Sequence, residues 1–240
     1  MSDPYLCQWT LQSATDELLI WPDGCRDVIL VFAPDQPAQL LLTGLDQLPR
    51  SVCYPAGTLF VGARLAVGSF LSLERCLPFV GDDRWLPSSE LPAVLTWEDS
   101  LPALAEVGRG WLSQFLHANL QPPQDWVVDY LQFLKLALPF VPHRQVSDRS
   151  FRRQLVRATG APPRYWQNLA RVRRTAGVVA ASDEPLAAVA ADLGFVDQAH
   201  LSRCLVQWLG QTPGRLRKNR ASVLARLAAP DAFFNPAAGG

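Results

Sequence analysis

The spacing of apolar residues changes part-way along this chain, and that change limits what the chain can fold into. Before about Asp99 they fall in short runs, at residues 18–21, 28–32, 39–43, 51–54 and 58–64, separated by Gly and Pro. Runs of this length with this punctuation are strands of a small sandwich or barrel. Pro22-Asp23-Gly24, between the first two runs, reads as the turn of a hairpin. Beyond Asp99 the interval lengthens to that of a helix, with Leu101, Leu104, Trp111, Leu112, Phe115 and Leu116 on one stripe. After Pro122-Pro123, Val127, Val128, Leu131, Leu134 and Leu138 form another.

The remainder is helical throughout. Ser147 caps a helix carrying Phe151 and Leu155 that stops at Gly160, and a second helix begins beyond Pro162-Pro163 and runs through Leu169 and Val172. Leu186, Val189, Ala190 and Leu193 form one face of a short helix broken at Gly194. The next starts at about Asp197, turns Leu201, Leu205 and Trp208 inward and stops at Gly210. With 240 residues, more than one domain's usual length, and 49% hydrophobic content, two domains are expected.

The formal net charge of zero conceals a division of sign. Residues 1–143 hold 7 Lys and Arg against 16 Asp and Glu, whereas residues 144–240 hold 15 against 6. A basic helical half is suited to a polyanion, because Lys and Arg that displace condensed counterions from phosphates gain affinity by ion release. The same charges would also suit a plain solvated face, so charge alone leaves both readings open.

Other classes are less consistent with the sequence. No leader pattern opens the chain and no apolar run nears the roughly 18 residues that span a bilayer, so a cytoplasmic protein without membrane contact is expected. Cys7, Cys25, Cys53, Cys76 and Cys204 are odd in number, scattered and without a CxxC pair, against both a disulfide framework and a zinc knuckle. A metal-dependent β-barrel enzyme would need histidines on its strands, but His117, His143 and His200 all fall outside them. No cofactor and no catalytic residue are therefore expected.

Two short helices joined by a tight Gly turn can present the second to the major groove of DNA. In residues 185–209, Leu201 and Leu205 face inward and leave Gln198, Ala199, Ser202 and Arg203 on the opposite stripe. Gln pairs with adenine, Arg with guanine, and Ala touches a thymine methyl. Residues 186–203, including Gly194-Phe195 and Ser202-Arg203, and then Gly210-Gln211-Thr212-Pro213 and Arg217, closely resemble the AraC-type family of bacterial transcription regulators. Residues 147–155, with Gly160 and Tyr165, are similar to the recognition helix of that family's first helix-turn-helix.

The resemblance implies a regulator that binds specific double-stranded DNA through two helix-turn-helix units bridged by a long helix. Its base-reading residues would be Arg149, Arg152 and Arg153 in the first unit, with Gln198, Ala199, Ser202 and Arg203 in the second. Arg171, Arg173, Arg174, Arg217 and Lys218 are candidates for phosphate contact, which fixes register without reading sequence. RNA polymerase would be a further partner of an activator. The family's helix before the first recognition helix is interrupted here by Pro139 and Pro142, so the first unit reads as shortened. This leaves open a protein-interaction module that has lost DNA recognition. His200 reads as a packed, hydrogen-bonded residue.

Trp21-Pro22-Asp23-Gly24-Cys25-Arg26-Asp27-Val28-Ile29 and residues 57–65 resemble a variant amino-terminal sensor domain found on some of these regulators. A small-molecule effector there would meet Trp9, Trp21, Arg26, Phe32, Phe60 and Arg64, although aromatics in a β domain are more often plain core. Cys25 beside Arg26 could be a reactive thiol, although burial is the commoner fate of a free cysteine.

The expected fold is α+β: a β-rich sandwich or barrel over 1–98, a helical connector over 99–138 that offers a homodimer surface, an all-α DNA-binding domain over 139–226, and a loose tail over 227–240.

Overall fold

The computed structural model describes residues 5–72, 83–86, 91, 100–137 and 147–229. The divisions expected at 98/99 and 138/139, the proline-interrupted stretch 138–143, Cys76 and the tail beyond 229 lie outside the described residues.

Five strands form one antiparallel sheet in the order β1 (Cys7–Gln12), β6 (Leu59–Leu65), β3 (Arg26–Phe32), β4 (Gln39–Leu42) and β8 (Arg84–Leu86). A separate ribbon pairs β2 (Glu17–Ile20) with β5 (Arg50–Cys53), and β7 (Phe70–Leu71) pairs with β9 (Leu120–Gln121). The hairpin expected around Pro22-Asp23-Gly24 does not form, because β2 pairs with β5 and β3 with β4 and β6. The Cys25 amide donates to Asp23 Oδ1 at 2.9 Å and Gly24 has φ 77°, a local turn that carries the chain from ribbon to sheet.

The central strands are apolar on both faces because both are covered. Along β3, Val28, Leu30 and Phe32 join Leu40, Leu42 and Val61 against Leu104, Leu112, Phe115 and Leu116 of α1 (Leu101–Asn119). Helix and sheet approach closely at Gly108, where a Cβ would stand 3.3 Å from Leu30 Cδ1. On the opposite face Ile29, Val31, Leu41 and Phe60 pack with Trp9, Leu18 and Tyr54. Burial of each large side chain contributes about 1.5–3 kcal/mol, and a one-residue slip would exchange the two faces.

The rest is built around α4 (Pro163–Ala181), whose Trp166, Leu169, Val172, Ala176, Val179 and Ala180 are fully buried. Around it lie α2 (Asp125–Lys135), α3 (Asp148–Thr159), α5 (Leu186–Asp192), α6 (Gln198–Leu209), α7 (Pro213–Lys218) and α8 (Arg220–Ala228). The one polar atom of Trp166 is satisfied: Nε1 donates to Thr159 Oγ1 at 3.0 Å, and that hydroxyl donates to the Leu155 carbonyl at 2.8 Å. Val127, Tyr130 and Leu131 place α2 in this same core, with Tyr130 edge-on to Phe151 of α3 at 5.3 Å.

The two halves share apolar packing. Trp21, Cys25, Leu45 and Val67 of the β-rich half are buried in the helical core. The Tyr165 hydroxyl of α4 donates to the Asp46 carbonyl at 2.8 Å. Arg226 of α8 lies 4.3 Å over the Trp21 ring and donates to the Leu19 carbonyl at 2.7 Å. Among the described residues no helix is long and apolar enough to cross a membrane.

Candidate nucleic-acid interface

The geometry of the α5–α6 pair follows from a few local residues. Gly194 takes φ 70°, a left-handed conformation that glycine adopts without a Cβ penalty, and lets the Phe195 amide donate back to the Ala190 carbonyl at 2.9 Å. Phe195 is thereby buried, and Asp197 opens α6 by accepting from the His200 amide at 2.6 Å. Leu201, Leu205 and Leu209, all at 0% exposure, fix one side of α6 in the core. The other side presents Gln198, Ala199 and Arg203 to solvent, with Ser202 half-buried between them. His200 is half-buried, its Nδ1 accepting from the Val196 amide at 3.4 Å and its ring 5.3 Å from Phe195.

Helix α3 repeats the arrangement. The Ser147 side chain accepts from the Ser150 amide, Gly160 ends the helix at φ 79°, and Leu155 is fully buried. Arg149, Arg152 and Arg153 are all exposed. Phe151 packs edge-on against Trp126 and Tyr130 of α2, so α2 supports α3 from the side opposite its arginines.

The five cations expected at phosphates are placed differently from one another. Lys218 is exposed. Arg217 is half-buried, donating through Nε to the Val179 carbonyl at 3.4 Å and through a terminal nitrogen to the Glu184 carbonyl. Arg174 is exposed but donates to the Leu134 and Lys135 carbonyls, both at 3.2 Å, at the end of α2. Arg171 lies 4.8 Å over the Phe195 ring. Arg173 must be removed from the set: it is 8% exposed, because it falls on the inward stripe of α4 with Leu169, Ala176 and Ala180.

In the β-rich half, a cavity of about 550 Å³ lies on the sheet face opposite α1. Of the six side chains expected at an effector, Trp9, Phe60 and Arg64 line it. Three do not. Phe32 points to the α1 side of the sheet, Trp21 is buried beneath Arg226, and Arg26 borders a different, much smaller recess while donating to the Thr43 carbonyl at 3.3 Å. Cys25 lines the cavity and is buried.

Two arginines in the lining are each held by a pair of carboxylates. Arg64 contacts Asp23 at 2.9 Å and Asp27 at 3.1 Å, and Trp9 Nε1 donates to Asp27 at 3.0 Å. Arg50 contacts Asp46 at 2.5 Å and Asp83 at 3.0 Å. Burial pushes the Asp23 carboxyl up to about 6 despite Arg64. It also raises Asp46 against the pull of Arg50, and raises the Tyr165 phenol next to both carboxylates. The sequence reading missed Asp46, Arg50, Tyr54 and Asp83, which carry no local motif. Among the described residues no cluster of three or more His, Cys, Asp or Glu is arranged to hold a metal ion.

No curated protein matches the chain in sequence. Among solved structures, ToxT from Vibrio cholerae O395 bound to (E)-4-(8-methylnaphthalen-1-yl)but-3-enoic acid aligns at 9% identity, covering 90% of this chain and 97% of that one with a TM-score of 0.42. Unsaturated fatty acid bound wild-type ToxT from Vibrio cholerae strain SCE256 aligns at 12% identity, covering 87% and 93%, with a TM-score of 0.40. Both likenesses are too slight to carry function across. A family model described as a helix-turn-helix domain matches residues 143–219, the stretch holding α3 to α7. With capped α3 and α6 each holding one face in the core and turning polar side chains outward, residues 143–219 are those of an AraC-type helix-turn-helix domain.

Proposed function

We propose that this protein is a sequence-specific double-stranded DNA-binding regulator that reads bases with α6 and α3 and is controlled by a small molecule held in the β-rich half. The observation that carries the DNA reading is the stripe of Gln198, Ala199 and Arg203, exposed on a helix whose opposite face is fully buried. A rigid helix with short and long polar side chains on its free face can enter the major groove and form paired bonds to base edges. Arg149, Arg152 and Arg153 would serve an adjacent groove segment, and Lys218 a phosphate. The effector reading is supported by the cavity, whose volume of about 550 Å³ and mostly apolar wall suit a small organic ligand. In this reading residues 1–98 form the sensor, 99–138 the connector and 139–226 the DNA-binding unit.

The test is selection of bound duplexes from a randomised pool by the purified full chain. A recovered motif whose positions lose preference in Gln198→Ala and Arg203→Ala variants is the expected result. Recovery of no motif, with equal binding to all duplexes, would refute sequence-specific reading.

A further inference from the structure

The cavity of the β-rich half holds more carboxylates than cations. Its described lining includes Asp23, Asp27, Asp46 and Asp83 against Arg50 and Arg64. The two ends differ. Near Asp23, cations also act from the helical half, Arg173 from α4 and Arg226 from α8, in addition to Arg64. At the other end Arg50 is, among the described residues, the one cation acting on Asp46, while Asp83 and Asp27 oppose it. Arg50 is itself occupied: Nε meets Asp46 Oδ1, and both terminal nitrogens meet Asp83 at 3.0 Å. Asp46 Oδ2 accepts nothing among the described residues. The guanidiniums of the cavity are thus committed, and one carboxylate oxygen at the Asp46 end has unused acceptor capacity.

The surroundings of that oxygen suit the same kind of guest. Tyr54 stands edge-on to Phe60 at 4.9 Å, and both line the cavity with Trp9, Ile29, Leu41 and Val52. Aromatic faces and a carboxylate beside an apolar wall attract an organic ammonium group with a hydrocarbon body. At the Asp46 end an anionic ligand would find the Arg50 guanidinium already neutralised and would meet the carboxylates of Asp46 and Asp83.

We infer that the cavity selects an organic cation, its ammonium group bound by Asp46 and its apolar body lying along Tyr54, Phe60, Ile29 and Val52. This deepens the effector reading above and rests on it. The experiment uses the full chain and three probes of similar length that differ in end-group charge: 4-phenylbutylamine, 4-phenylbutanol and 4-phenylbutyrate. Binding is measured at pH 7.5 by calorimetry and by tryptophan fluorescence. The amine is expected to bind roughly tenfold or more tighter than the butyrate, a difference of at least about 1.4 kcal/mol. Asp46→Asn should remove that preference while leaving the alcohol's affinity unchanged. Val52→Trp, which adds an indole to the cavity lining, should weaken all three, and circular dichroism establishes that both variants fold. Equal or tighter binding of the butyrate, or an amine preference that survives Asp46→Asn, overturns the choice of a cation but leaves a ligand cavity in place. Binding of none of the three overturns both.

Discussion

Substituting alanine at two glycines with equally open surroundings isolates the backbone as the source of the α5–α6 geometry. A Cβ at Gly194 meets nothing within 4 Å, and the same is true at Gly110 in the middle of α1. Crowding therefore contributes nothing at either position. At Gly194 the backbone stands at φ 70°, where a side chain costs about 1–2 kcal/mol. At Gly110 the backbone is helical, and alanine is favoured over glycine by about 0.8–1.0 kcal/mol. Gly194→Ala is expected to destabilise and Gly110→Ala to stabilise, leaving the two variants about 2–3 kcal/mol apart. With a urea dependence of about 2 kcal/mol per M, that is a separation of roughly 1 to 1.5 M in midpoint. The assay is urea unfolding followed by the fluorescence of the eight tryptophans. Gly194→Asn should recover part of the loss, because asparagine tolerates this conformation better than alanine. If Gly194→Ala unfolds at or above the parent midpoint, the turn is not held by its left-handed residue and the argument fails.

Arg203→Ala and Gln198→Ala should each weaken binding to the preferred duplex by about 1–3 kcal/mol while barely changing binding to random DNA, as read by competition electrophoretic shifts. Lys218→Ala should weaken binding to all duplexes alike and lower the slope of log affinity against log salt by about 1, measured by fluorescence anisotropy across a salt series. Asp23 has a carboxyl raised in the folded chain to about 6 from an ordinary 3.8, so the folded state binds the proton more tightly than the unfolded one. Its contribution to stability is therefore present below pH 4 and is lost as pH rises to 6. Relative to Asp23→Asn, the parent's unfolding midpoint should fall across that window, and a constant difference would contradict the assignment. Arg226→Ala removes the stacking on Trp21 and the bond to the Leu19 carbonyl and should cost about 1–2 kcal/mol, read as a lower thermal midpoint.

Much of the helical half could be read in advance because its signals act over a few residues. Ser147 caps through Ser150, Asp197 through His200, and Gly160, Gly194 and Gly210 all take the positive φ that ends a helical segment. The longer inner strands of the β-rich half were also legible as runs, but β1, β7 and β8 were not: the mixed residues Cys7–Gln12 carry no turn punctuation and become a strand by pairing with β6, and the short Phe70–Leu71 and Arg84–Leu86 become strands by pairing with β9 and β4. Strand partners were not legible. The Pro22-Asp23-Gly24 turn fits a hairpin equally well, and only competition from β4 and β6 for the edges of β3 decides against it.

The candidate site divides in the same way. The outward stripe of α6 follows from helical period and two caps, so Gln198, Ala199 and Arg203 could be named from the residues alone. Arg173 could not be told from Arg174 by type, and its burial depends on which face of α4 meets the core beside Asp23. Asp46, Arg50 and Asp83 belong to separate segments and become neighbours only when the ribbon and the sheet close around one cavity. Periodicity and capping, set by neighbours in the chain, determined the helices and their exposed faces. Strand pairing, the committed guanidiniums and the surplus carboxylate arise between residues distant in sequence, and only their packing in space decided them.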